Sequence, residues 1–377
     1  MRPLRIGVNA LYLIPGGVGG TEIYLRELLR ALAEIDTRNR YVVFTNLETE
    51  SGLVPAQPNF HESPQRVRAS FRPARILWEQ TVLPFQVARA RLDALFNPGF
   101  TAPVCCPCAA VTVFHDMQHK RHPEHFRRLD LPFWRILLYA SAQVATRVVA
   151  DSEATRQDLL RYYRLPPAKI RVVGLGVDPV MFGLARMPEP FLLTVSTLHP
   201  HKGLDFLLRA FARFRKQRPD FRLIVAGMRG FHAAALERLR EELGLAGAVE
   251  FTGWIPRQQL YGLYQRAWAF LYPSTFEGFG MPVVEALAAG IATGCSQIEP
   301  LSSLAGDAAL QFDPHDLDAI CEAMDRLVAD SALRARLASE GPRRALRYSW
   351  TATARATLDT IQEAVRRKEP AGSEYRE

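Results

Sequence analysis

A chain of 377 residues, 48% hydrophobic and 23% charged, is long for one domain and natural for two globular ones. No apolar run approaches the roughly 20 residues needed to span a bilayer, and five cysteines form no even disulfide framework. The net charge is +8, and residues 1–180 carry seven of those eight positive charges. That basic half would be drawn to anionic lipid or polyanions; a solvated basic face without a partner is the alternative. No nucleic-acid motif accompanies the charge, so nucleic acid is not an expected partner.

Leu4–Ala10 reads as a first strand. Asn9 interrupts its apolar run, which flows into glycines rather than a cleavage site, so a cytoplasmic chain is expected. Gly16-Gly17-Val18-Gly19-Gly20 then precedes a predicted helix over Thr21–Ile35, where a phosphate-binding loop would stand. Counting from Gly17, Glu22 falls where a dinucleotide fingerprint needs its third glycine, which weakens an NAD reading. Further strands are predicted at Tyr41–Thr45, Ala94–Asn97, Ala110–Phe114, Arg147–Ala150 and Ile170–Val173.

Cys105 and Cys108 have the spacing of half a metal site, with Cys106 beside them and His115, His119, His122 and His125 downstream. No second cysteine pair appears, so reduced, incidental thiols are the preferred reading and no metal is expected. His115-Asp116 ends a predicted strand. A neutral imidazole there can donate and accept, suiting a site that handles hydroxyls. A satisfied core histidine and a helix-capping Asp116 are the competing readings. The segment from Phe126 through Arg127, Arg128 and Leu129 to Tyr139 mixes arginines with large apolar residues, as interfacial helices do. A core-facing helix with a basic outer side is preferred. Asp151-Ser152 follows a strand, where helix capping is the first explanation and site lining the second. Gly174–Pro190, with three prolines and three glycines, reads as a linker shaped by Asp178.

The alternation restarts with strands at Phe191–Ser196, Phe221–Ala226, Val249–Thr252 and Ala269–Tyr272. Helices are predicted at Gly203–Gln217, Ala233–Leu243, Gln258–Gln265 and Met281–Ala289. Beyond Asp313-Pro314 the pattern is helical, ending in an amphipathic segment from Trp350 to about Lys368. The most informative stretch is Phe276-Glu277-Gly278-Phe279-Gly280-Met281-Pro282-Val283-Val284-Glu285. Its glycines let backbone N–H groups press on a ligand, and Pro282 suits a first helical turn whose open end attracts anions. Glu285, one turn in, can reach ligand hydroxyls. A phosphate-bearing, hydroxyl-rich ligand such as a nucleotide sugar fits.

This block resembles the glutamate–seven residues–glutamate signature of retaining, nucleotide-sugar-dependent glycosyltransferases with the GT-B fold, family 4 type. The resemblance is to the family that includes bacterial mannosyltransferases and sucrose synthase. It extends to the glycine loop, Phe114-His115-Asp116, Ala150-Asp151-Ser152-Glu153, Gly176-Val177-Asp178 and Val195-Ser196-Thr197-Leu198-His199-Pro200-His201-Lys202-Gly203. The fold it implies is α/β, with two Rossmann-like doubly wound parallel-sheet domains facing an interdomain cleft. Residues 1–180 would form the acceptor-side domain and 190–349 the donor-binding one, with a terminal helix at 350–368 crossing back to the first.

By that resemblance, Lys202 binds the donor diphosphate and stabilises charge as the glycosidic bond breaks. Glu277 contacts the transferred sugar, as do N–H groups around Gly278, Phe279, Gly280 and Met281. Glu285 takes the ribose diol. Gly17 and Gly19 lie by the donor phosphate and acceptor, and His115 and Asp116 by the sugar and acceptor. The family often has an arginine where Thr197 stands, with His199 or His201 as compensating candidates. Prolines and an acid expected near Ala292, Ser302 and Ser303 are also missing, which bears on donor affinity. No cofactor is implied beyond the donor substrate.

The leading expectation is hexosyl transfer with retention, without a metal. Mannose from GDP-mannose is the first choice, because Thr197–Lys202 has the form this motif takes in bacterial polysaccharide mannosyltransferases. The acceptor would be a glycan or lipid-linked precursor, met in the cytoplasm at the membrane's inner face. A non-catalytic nucleotide-sugar-binding protein and an NAD-dependent oxidoreductase are the competing readings.

Overall fold

The computed structural model describes residues 2–17, 19–126 and 130–368. Val18 of the glycine loop and Arg127, Arg128 and Leu129 of the basic apolar segment lie outside them. The chain divides into two compact units, one formed by Met1–Leu175 with the segment from Trp350, the other by Gly176–Ser349.

In the first unit a parallel sheet runs in the order β3 (Phe60–Pro64), β2 (Arg40–Thr45), β1 (Arg5–Asn9), β4 (Ala94–Asn97), β5 (Ala109–Phe114), β6 (Arg147–Ala150), β7 (Ile170–Val172). Helices α1 (Gly20–Ile35), α2 (Arg72–Arg89), α3 (Gln118–Arg121), α4 (Leu131–Val144) and α5 (Glu153–Tyr163) connect the strands. β4, β5 and β6 are buried along their whole length. Both faces of a parallel sheet are covered, so its strands are near-continuous apolar runs, the signal that made them legible.

In the second unit the order is β10 (Val249–Gly253), β9 (Arg222–Ala226), β8 (Phe191–Val195), β11 (Ala269–Tyr272), β12 (Ala292–Ser296), β13 (Leu310–Phe312). Its helices are α6 (Leu204–Phe214), α7 (Ala233–Glu242), α8 (Arg257–Arg266), α9 (Met281–Ala288), α10 (Leu301–Ala305), α11 (Leu317–Ala329) and α12 (Ser331–Ala345). α6 buries Leu204, Leu207, Leu208, Phe211 and Phe214, a helical-period stripe, into a core shared with β8, β9 and α11. The last helix, α13 (Trp350–Lys368), packs on α1, β4, β5 and β6, and its buried Trp350 tilts against Tyr24 of α1.

Four elements lack the expected signal. β3 is a polar edge strand ending in Pro64, which an edge tolerates. α2 carries prolines at both its start and its interior (Pro84), which hide a helical pattern. β12 reads Ala-Thr-Gly-Cys-Ser, with no apolar run, yet is wholly buried. Its small residues are required by packing: a Cβ on Gly294 would stand 3.0 Å from both Leu271 and Leu327. β13 has three residues only.

Two expectations are corrected. The outer side of α4 is apolar rather than basic: Leu137, Leu138, Ser141 and Ala142 face inward, while Phe133, Ile136 and Tyr139 are exposed, Ile136 to 69%. The stretch read as a linker is docked on the second unit. Val177 bridges Ser349, and the N–H groups of Met187 and Glu189 bond to Gln265 and Arg266. Asp178 accepts the Val180 N–H at 3.0 Å and pairs with Arg257 at 2.8 Å. Arg186 caps the end of α8, donating to the carbonyls of Tyr264, Gln265 and Ala267. Its burial lowers the guanidinium pKa to about 10. Replacing it would remove the guanidinium donor from those last-turn carbonyls, of which Gln265 keeps the Met187 N–H. We expect Arg186→Ala to destabilise the second unit by about 2 kcal/mol, read as a lowered calorimetric midpoint for that unit. An unchanged midpoint would show that the contact is incidental.

Candidate active site

Each sheet reverses its strand order once, between β1 and β4 in the first unit and between β8 and β11 in the second. Loops leaving the two central strands there diverge, opening a crevice at the strands' carboxyl ends. In the second unit those two loops carry the expected donor residues. β8 leads to a single 3₁₀ turn, Pro200–Lys202, and β11 leads to Ser274–Glu277. Thr275 N–H bonds the His201 carbonyl at 2.7 Å, and Ser274 Oγ donates to the same oxygen at 2.9 Å. Gly203, with φ of 62°, opens α6 there; a Cβ would stand 2.1 Å from the Pro273 carbonyl oxygen. The left-handed backbone and the close approach both require glycine.

This packing brings Lys202 and Glu277 together. Lys202 Nζ lies 2.6 Å from Glu277 Oε1, and their side chains are only 14% and 10% exposed. Tyr272, the last residue of β11, donates its hydroxyl to the same carboxylate oxygen at 2.8 Å and accepts from Lys202 at 3.2 Å. Burial, then the charge of Glu277, raises the Tyr272 phenol well above its usual range, so it stays a donor. The charge of Glu285 adds to that shift. Glu285 Oε2 accepts the hydroxyl of the buried Tyr264 at 2.8 Å. Burial raises the Glu285 carboxyl above its ordinary value against that bond. Tyr264 and Tyr272 were absent from the sequence-derived site: Tyr272 ends an apolar run that reads as core, and Tyr264 lies in a helix that carries no motif.

Gly280 (φ 111°) is the N-cap of α9, and a Cβ there would stand 2.4 Å from Leu301 of α10. The helix ladder begins with Val283 and Val284 bonding to the Gly280 carbonyl, so the N–H groups of Gly280 and Met281 precede it. Gly278 and Phe279 lead into this end, with Phe279 edge-on to Tyr348. Ser302 and Ser303 lie on α10, whose carbonyls Arg344 and Tyr348 hold. Ala292 opens β12. Thr197 follows β8, and its carbonyl accepts the His199 N–H at 2.8 Å. His199 and His201 stack 5.8 Å apart beside it.

In the first unit the glycine loop closes on itself. Glu22 accepts the Gly16 N–H at 2.8 Å and pairs with Arg26, while Gly19 (φ 59°) is the N-cap of α1. Gly17 is packed on Ile14. At the switch point the side chains of Asn9 and Asn97 meet at 3.1 Å, and Glu79 accepts from Asn9 and Thr101. This buried network, paired with Arg75, escaped sequence reading because its members are spread over four segments.

His115 follows β5 with both ring nitrogens occupied. Nδ1 lies 2.6 Å from Asp151 Oδ2 and Nε2 lies 2.8 Å from the Pro98 carbonyl. Both partners are acceptors, an arrangement that favours a proton on each ring nitrogen. Burial alone would lower its pKa; the charge and hydrogen bond of Asp151 outweigh that and raise it. Asp151 is therefore the histidine's partner, and the cap of α5 is Ser152, which accepts the Thr155 N–H. Asp116 accepts the Gln118 N–H at 2.8 Å, at the start of α3.

Among the described residues Cys105, Cys106 and Cys108 join no histidine in a group of metal-ligand size; the group of that size is His122, Glu124 and His125.

Because the folded pKa of His115 lies above the ordinary imidazole value of 6.5, its protonation stabilises the fold. That contribution is complete below pH 6.5 and is lost as pH rises through the folded value. Unfolding of the first unit should show a decline in stability above neutral pH. Asp151→Asn should flatten the decline and cost about 3 kcal/mol at pH 6. A variant as pH-dependent as the parent would refute the pairing.

Comparison with known proteins follows the same division. The family model for glycosyltransferase family 4 matches residues 18–180, and that for glycosyl transferases group 1 matches residues 182–344. The D-inositol 3-phosphate glycosyltransferase of Thermobispora bispora is 30% identical over 396 aligned positions, covering 93% of this chain and 91% of that protein. The O-antigen chain mannosyltransferase B of Escherichia coli is 28% identical over 266, covering 67% of this chain and 70% of that protein. Among solved structures, Anabaena HepE in complex with UDP and glucose superposes with a TM-score of 0.75 at 19% identity, covering 96% and all of the two chains.

Proposed function

This chain belongs to glycosyltransferase family 4, of the GT-B fold, and from that membership we propose that it transfers a hexose from a nucleoside diphosphate sugar to an acceptor hydroxyl with retention of configuration. Mannose from GDP-mannose is the first choice. The acceptor is a cell-surface glycan or lipid-linked precursor. The name of the Escherichia coli relative supports the sugar and the acceptor class.

One observation carries the reading: a lysine, a glutamate and a tyrosine converge beside the open end of α9. Glu277 is the anion that Lys202 holds in this structure. A donor diphosphate would take that place, releasing Glu277 to accept hydroxyls of the transferred sugar. The N–H groups of Gly280 and Met281 and the positive end of the helix dipole add donors without further charge. As the glycosidic bond breaks, Lys202 neutralises the charge that gathers on the leaving phosphate, a role a divalent metal fills in other folds. The leaving phosphate oxygen is the base that takes the acceptor's proton, which keeps attack and departure on one face. Glu285, held by the Tyr264 hydroxyl, would receive the ribose diol.

The outward apolar face of α4, on the basic half of the chain, supports peripheral contact with an anionic membrane from the cytoplasmic side. Such contact would bring the enzyme to a lipid-linked acceptor.

The test is turnover against a donor panel with the anomeric product read by NMR, beside thermal shifts with free nucleoside diphosphates. GDP should raise the midpoint most, and GDP-mannose should give an α-linked product. Lys202→Ala and Glu277→Ala should each lose at least about 100-fold in kcat while remaining folded. Nucleotide binding without transfer to any acceptor, or near-normal turnover in both variants, would overturn the proposal.

A further inference from the structure

The cysteine cluster was set aside by the sequence and is unused by the transferase chemistry. It lies in the loop that enters β5: Cys105 is exposed, Cys106 half-buried and Cys108 buried. The spacing in sequence suggested Cys105 with Cys108, but the fold brings Cys106 to Cys108, their Sγ atoms 3.7 Å apart. A disulfide requires about 2.05 Å, so closure asks for a shift of under about 2 Å. An ammonium stands over the same turn. Lys368, at the end of α13, donates to the carbonyl oxygens of Cys106 at 3.1 Å and Cys108 at 2.6 Å. The hydrogen bond from Cys108, opposed by burial and aided by Lys368, lowers the Cys106 thiol to about 7. Cys108 is pushed strongly the other way. The pair is thus unequal: one sulfur is a ready thiolate and the other holds its proton.

We propose that Cys106 and Cys108 form a reactive dithiol that is oxidised to an intrachain disulfide by small-molecule disulfides of the glutathione class. The Cys106 thiolate attacks one sulfur of the disulfide, whose S–S bond breaks to release one thiolate. Cys108 then loses its proton to solvent and attacks Cys106 Sγ, expelling the second thiolate. The two released thiolates take up protons, so the small disulfide is reduced to two thiols as the protein loses two hydrogens. Cys106 is the attacking residue and Cys108 the resolving one. Because Lys368 grips the carbonyls of both, the anchor of α13 is the part of the fold that oxidation reaches first.

The full chain, reduced and free of any tag, is incubated with glutathione disulfide at pH 7.5 and analysed by intact mass and peptide mapping. Loss of two hydrogens, a Cys106–Cys108 linked peptide and reversal by dithiothreitol are expected. Cys108→Ser should stop at a glutathione adduct on Cys106, and Cys105→Ser should react as the parent does. Glutathione found on Cys105 alone, with Cys106 and Cys108 still open to alkylation, would overturn the proposal. The map of the unaltered chain decides by itself should a variant fail to fold.

Discussion

The second unit depends on β8 and β11 lying side by side although the residues they deliver, Lys202 and Glu277, are 75 positions apart. A parallel sheet with crossover helices forces every strand's carboxyl end to one edge. Reversal of strand order then leaves the two central loops with no helix between them. Gly203 and the Pro273 carbonyl close that gap to backbone contact, and the lysine and glutamate have little choice but to meet. The ion pair is a consequence of topology before it is a feature of chemistry.

Burial makes such pairs expensive to leave unmade, since a lone buried charge is costly and a partnered one is roughly neutral. Both units show the same solution. Lys202 has Glu277 and Tyr272, His115 has Asp151 and the Pro98 carbonyl, and Arg75 has Glu79, each at the carboxyl edge of a sheet. None of these pairs strengthens a core as apolar packing would. Their position at the edge where doubly wound sheets bind ligands is what distinguishes them from structural salt bridges. Glu285 makes the point from the opposite side: burial raises its carboxyl, and the Tyr264 hydroxyl and the charge of Arg257 oppose that rise.

Helix ends supply the complementary positive field without side chains. α9 begins at a left-handed glycine pressed on Leu301, so the turn before it is held in place by α10 rather than left to the ligand. The glycine loop of the first unit behaves differently. Glu22 already occupies its Gly16 N–H, which agrees with the failed dinucleotide fingerprint at that position.

The sequence alone determined the alternating strands and helices and the two-unit division. Period and glycine–proline punctuation are local, and buried parallel strands announce themselves as apolar runs. It hid β12, whose small residues answer to Leu271 and Leu327 from other segments, and it read Gly174–Pro190 as a linker because docking onto α8 leaves no mark in composition. Lys202 and Glu277 were legible as separate motifs; that they neutralise each other through Tyr272 was not. Asp151 looked like a cap until its distance to His115 was known, and Cys105 looked like the partner of Cys108 until the loop turned Cys106 toward it. Which residues carry charge is written along the chain. Which charges face one another follows from strand order and backbone approach, and only the folded sheet decides those.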